Sequence, residues 1–153
     1  MQRGVMLKSK RELEQMRAAG RINAKALAAA VAVVEPGITT AEINAAAAAV
    51  LKQSGAVPAF VGVAGAYPYP AETTISINDE LVHGIPGERR LKEGDIVSID
   101  CGTVFDGFVG DSAMTVGVGE ISDEAQKLIE VTRESLFAGI AKMIPDNHTG
   151  DVS

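Results

Sequence analysis

Apolar residues recur at helical spacing near the start of the chain, at Leu13, Met16, Ala19 and Ile22. That period predicts a helix over residues 9–35. Ser9, with Glu12 three residues on, has the form of a capping box at its start, and Pro36-Gly37 stops it. Thr39 and Glu42 repeat the capping pattern, which predicts a second helix over 40–54 with Gly55 just past its end. The period is then lost. Residues 56–71, AVPAFVGVAGAYPYPA, are rich in Gly and Pro, with Tyr67 and Tyr69 among them, and read as a loop with one short strand. Residues 73–77 alternate and are β-branched, so they form a strand, and Asn78-Asp79 turns the chain.

The clearest local pattern is a hairpin. Ile96 to Phe105 is one strand, Phe108 to Val116 the other, and Asp106-Gly107 between them is a strong two-residue turn signal. From Ser122 the helical pattern returns, carrying Leu128, Val131, Ala138 and Met143, and Pro145 ends it. A weak repeat links PGITTAEI at 36–43 to PDNHTGDV at 145–152, aligning Thr40 with Thr149 and Glu42 with Asp151. Two explanations stand: helix junctions resemble one another, or the fold is duplicated and its second half has just begun when the chain stops at Ser153.

Composition narrows the function classes. Hydrophobic residues make up 46%, aromatic residues only 4%, and tryptophan is absent, so the core is built mostly from Ala, Val, Ile and Leu. A net charge of −6 argues against non-specific binding to nucleic acid or to an anionic membrane surface, while leaving room for a local basic patch at Lys8, Lys10 and Arg11. One cysteine, Cys101, excludes an internal disulfide and a multi-cysteine zinc site, and a reducing cytoplasm is the expected compartment. The N-terminal MQRGVMLKSKRELEQ lacks the apolar segment of a signal peptide, and the longest apolar run, Ala26 to Val34, is too short to span a bilayer.

The hairpin also carries the candidate chemistry. With Asp106-Gly107 as the turn, Phe105 opposes Phe108, Asp100 opposes Ala113, and Gly102 opposes Asp111. Alternation along each strand then places Asp100 and Asp111 on one face, as diagonal neighbours roughly 7–8 Å apart at the backbone. Asp100 follows the apolar run Ile96-Val97-Ser98-Ile99, and no Lys or Arg lies between residues 93 and 126. Two carboxylates facing each other repel unless a cation intervenes, and a divalent metal on oxygen ligands resolves that repulsion. Solvent-exposed hairpin residues are the plainer reading of the pair. His83 sits in Val82-His83-Gly84-Ile85-Pro86, where Gly and Pro shape a loop; its possible tasks are structural, metal ligation, proton transfer or substrate binding. Alternation turns Cys101 to the opposite face, as packing. His148 is expected in solvent. Gly117-Val118-Gly119 lacks the strand–helix setting of a nucleotide loop.

The segments SINDELVHGIP and LKEGDIVSIDCGTVFDGFVGDSAMTVGVG, with the two Asp eleven positions apart, resemble type I methionine aminopeptidases, and the resemblance covers essentially the whole chain. It implies an α+β, pita-bread fold, of which residues 1–153 are the N-terminal part of a single catalytic domain: the first pseudo-symmetric half and the start of the second. It implies removal of the N-terminal Met from nascent polypeptides, met at the ribosome, by a cytoplasmic and monomeric full-length enzyme that uses no nucleic acid substrate and no membrane. The family holds two divalent metal ions (Co, Mn, Fe or Zn) that activate a water for attack on the scissile carbonyl. Asp100 matches the ligand that chelates one metal, Asp111 the ligand that bridges both, and His83 the catalytic, substrate-binding histidine. The family's further His and two Glu ligands belong to a second half absent here, so this chain alone is expected to lack appreciable aminopeptidase activity.

Tyr69-Pro70 matches a family Tyr-Pro, whereas Thr74 stands where many members have Cys and Ala66 where many have an aromatic residue. Two alternatives remain. An Xaa-Pro peptidase is disfavoured by His83-Gly84-Ile85-Pro86 and by the lack of a large preceding domain. A non-enzymatic pita-bread homologue acting as a binding protein is disfavoured because both Asp are kept.

Overall fold

A computed structural model describes residues 6–153. Helices α1 (Lys10–Ala32) and α2 (Thr40–Gln53) precede strands β1 (Val57–Pro58), β2 (Thr73–Ile77), β3 (Ile96–Phe105) and β4 (Phe108–Gly117), followed by α3 (Asp123–Ala141) and α4 (Thr149–Val152). Both expected capping boxes are present. Ser9 N–H donates to Glu12 Oε2 at 2.7 Å, and Thr39 N–H to Glu42 Oε2 at 2.8 Å. His148 N–H likewise donates to Asp151 at 2.8 Å, so the two junctions of the weak repeat share this capping bond.

Two helices stop earlier than their periodicity predicts. α1 ends at Ala32 rather than near residue 35. Pro36 pushes the residue before it out of helical backbone, and Gly37, at φ +92°, donates its N–H to Leu91 O at 2.8 Å. α3 ends at Ala141, ahead of Pro145, and Asn147 Nδ2 donates to the freed Lys142 carbonyl at 2.9 Å.

The sheet is antiparallel. β3 is its centre: β4 pairs along its whole length, while β2 and β1 pair with residues 97–101 and 103–104 of β3. One face lies under α1 and α2. Val97, Ile99, Cys101 and Thr103 point to that side and are fully buried, as are Ala26, Ala30, Ile43 and Ala47 of the helices. Small helix residues let the layers approach closely. At Gly110 of β4 a Cβ would come within 2.8 Å of the α1 backbone at Ala19 and Gly20. The buried stripe of α1 is Ala19, Asn23, Ala26, Leu27 and Ala30. Leu13 and Met16, expected in that stripe, are 39% and 38% exposed.

Candidate active site

The hairpin adopts the register that its turn residues predict. Asp106 and Gly107 both take left-handed backbone, at φ 50° and 80°, which matches the twist of the flanking strands. Phe105 pairs with Phe108, Asp100 with Ala113 and Gly102 with Asp111. Asp100 and Asp111 therefore occupy the sheet face away from α1 and α2. Asp100 is half-buried, whereas Asp111 is exposed on the outer strand.

Burial pushes the Asp100 carboxyl above its ordinary range. Asp111 adds to the shift through its charge and its closely placed carboxyl, while the His83 charge and the Cys101 backbone N–H oppose it. The pair is thus an electrostatically strained acidic site with no Lys or Arg of the hairpin to relieve it. Its oxygen donors suit a hard divalent cation. Two carboxylates alone would make an incomplete ligand shell, and among the described residues no cluster of three or more His, Cys, Asp or Glu forms.

The His83 loop is pressed onto β2. Ile75 N–H donates to Gly84 O at 2.8 Å, and Gly84 N–H donates to Ser76 Oγ at 3.2 Å. A Cβ on Gly84 would lie 2.1 Å from Ile75 O, so only glycine permits this approach. His83 itself adopts φ 61°, left-handed backbone uncommon outside glycine. The Tyr69 hydroxyl lies 3.0 Å from both Thr73 O and Gly84 O, bracing the loop against the strand. Burial, and then the Asp100 charge, push that phenol up to about 12.

Between these elements opens a cleft of about 440 Å³. Phe60, Val63 and Ile85 supply apolar wall, and Thr74, His83 and Asp100 lie at its polar side. Thr74 pairs with Asp100 across β2 and β3, which places it beside the carboxylate. Asp111 does not line this cleft but meets Asp100 across the hairpin. Phe60 was not singled out from the sequence. Its ring would be 2.6 Å from a Cβ at Gly102, so the wall of the cleft rests on that glycine. The Gly- and Pro-rich run around Phe60 was the available signal.

Two residues fall outside the site, as expected. Cys101 is fully buried on the helix side, and burial raises its thiol to about 11. His148, with a side chain 90% exposed, starts α4. Among the described residues no helix is long and apolar enough to cross a membrane.

Comparison with known proteins gives concordant results. The chain matches metallopeptidase family M24 over residues 14–153. It is 48% identical over 152 residues to a methionine aminopeptidase 1 of Mycobacterium tuberculosis, covering 99% of this chain and 56% of that protein. It is 46% identical over 149 residues to a methionine aminopeptidase of Clostridium perfringens, covering 97% and 59%. The crystal structure of a methionine aminopeptidase from Thermotoga maritima superposes with a TM-score of 0.85 at 39% identity, over 92% of this chain and 55% of that one. The fold is the pita-bread architecture, as the sequence resemblance implied. The chain spans somewhat more than half the length of the curated relatives it matches.

Proposed function

The chain belongs to metallopeptidase family M24, and on that premise we propose that the protein it is part of removes N-terminal methionine from polypeptides by metal-assisted hydrolysis. The observation that carries this reading is the convergence of Asp100 and Asp111 on one sheet face beside the His83 cleft. Asp100 and Asp111 would hold the divalent ions, Co, Mn, Fe or Zn, Asp100 as a ligand of one and Asp111 as a ligand common to both. Bound metal supplies Lewis-acid polarisation of the scissile carbonyl.

The remaining roles fall to this chain's own side chains. His83, at the cleft, hydrogen-bonds the substrate and carries a proton. Its loop is held by Gly84 and Tyr69, so the imidazole needs little ordering when substrate arrives. The apolar walls suit an unbranched, polarisable methionine side chain, which also makes favourable contacts with aromatic rings such as Phe60. The cleft volume falls in the range of small-ligand pockets.

Residues 1–153 are the N-terminal part of one catalytic domain. The substrates are nascent chain N-termini, met at the ribosome in the cytoplasm, and the full-length protein acts as a monomer. With only two carboxylates gathered, the 153-residue chain by itself does not turn over. Release of Met from a Met-Ala peptide tests this reading. The metal-loaded full-length protein should release Met, Asp100→Asn or Asp111→Asn should drop it to background, and the 153-residue chain should show none. An undiminished rate in either variant, or release by the chain alone, contradicts the reading.

A further inference from the structure

Behind the carboxylate pair, on the helix side of the hairpin, lies a buried polar bridge that the proposed chemistry does not use. Asn23 of α1 is only 1% exposed although its neighbours in the stripe are Ala and Leu. Its Nδ2 donates to Ser112 Oγ at 2.7 Å, and its Oδ1 accepts from Thr103 Oγ1 at 2.7 Å. One amide thus ties β3 and β4 to the same helix. An apolar residue here would leave the Thr103 and Ser112 hydroxyls without this partner, so the amide answers to both strands and not to packing alone.

The register shows what the bridge constrains. Thr103 pairs with Gly110, and Cys101 with Ser112, so Thr103 and Ser112 are diagonal neighbours on the helix side. Asp100 and Asp111 are diagonal neighbours on the cleft side, along the opposite diagonal. If β4 slides along β3, one diagonal shortens as the other lengthens. Holding Thr103 and Ser112 at a set span therefore also holds the span between the two carboxylates. Gly110 contributes by letting the α1 backbone sit directly on β4.

We propose that Asn23 is a positioning residue for the metal site: through Thr103 and Ser112 it sets the shear of the hairpin, and so the separation of Asp100 and Asp111. The proposal rests on the metal reading of that pair. It is tested by Mn²⁺ titration of the 153-residue chain, followed by water-proton relaxation and by the Mn²⁺ paramagnetic resonance spectrum. Asn23→Leu breaks the bridge but strands two hydroxyls. The triple variant Asn23→Leu, Thr103→Val, Ser112→Ala removes every polar member, which leaves stability nearly unchanged.

The triple variant is expected to fold with a thermal midpoint close to the parent's, yet to bind Mn²⁺ about tenfold more weakly, the loss typical of residues that orient metal ligands, and with an altered spectrum. Ser112→Ala, at the exposed end of the bridge, should shift both readouts in the same direction by less. Unchanged affinity and spectrum in the folded triple variant would overturn the proposal and leave Asn23 a packing residue. If instead Asp100→Asn leaves Mn²⁺ binding unchanged, the metal reading fails first and this proposal falls with it.

Discussion

β3 and α3 carry similar apolar side chains and meet opposite fates. In β3, Val97, Ile99 and Cys101 are fully buried beneath α1 and α2. In α3 no residue is buried, and Leu128, Val131, Leu136, Phe137 and Ile140 are all between 46% and 61% exposed. The amphipathic period of a helix declares that one face wants cover; it does not say what covers it. The acidic pair shows a similar contrast on a smaller scale. Asp100 lies on the central strand and is half-buried, while Asp111 lies on the outer strand in solvent. Half of the proposed metal site thus stands on a packed scaffold, and the other half faces the open side.

Mutation can break or sharpen this contrast, and the largest effect belongs to the packed side. Ile99→Ala should destabilise the chain by about 2–5 kcal/mol, read from urea unfolding midpoints. A loss below ~1 kcal/mol would mean that the sheet–helix interface is looser than its burial indicates.

At the boundary, the Asp100 carboxyl titrates above its ordinary value of 3.8, through burial and the nearness of Asp111. The sign follows from linkage: the unfolded chain ionises first, so metal-free stability falls as pH rises from the ordinary value through the raised one. Asp100→Asn should remove that decline, and the difference between its pH–stability curve and the parent's isolates it from other carboxylates. A divalent cation should also flatten the parent's curve.

The smallest effect belongs to the open side. Phe137→Ala should change the stability of this chain by no more than ~0.5 kcal/mol. In the full-length protein the same substitution should cost about 3–5 kcal/mol if that face is covered there. Equal effects in the two contexts would remove the distinction between the regions.

Much of this was legible in the residues, because the signals were local. Asp106-Gly107 set the hairpin register and with it the shared face of Asp100 and Asp111. Ser9 with Glu12, and Thr39 with Glu42, marked both helix starts. What was not legible depended on distant partners. Nothing near Asn23 shows that its amide meets Thr103, 80 positions away, and apolar spacing alone points to Leu13 and Met16 instead. Phe60 became cleft wall only because Gly102 leaves space beneath its ring. The helix ends came early because prolines act on the residues before them and the freed backbone groups found partners in later segments. The family resemblance implies separate tasks for Asp100, Asp111 and His83, which geometry alone leaves open.

The central claim is that Asp100 and Asp111 hold cation together, and Mn²⁺ titration of the 153-residue chain and its Asp100→Asn, Asp111→Asn and doubly substituted forms tests it most directly. A shared cation predicts that either single substitution removes nearly as much affinity as both together, the strong non-additivity of groups acting as one site. Losses that simply add, or no Mn²⁺ binding that depends on either residue, would contradict the claim and return the pair to two independent carboxylates in solvent.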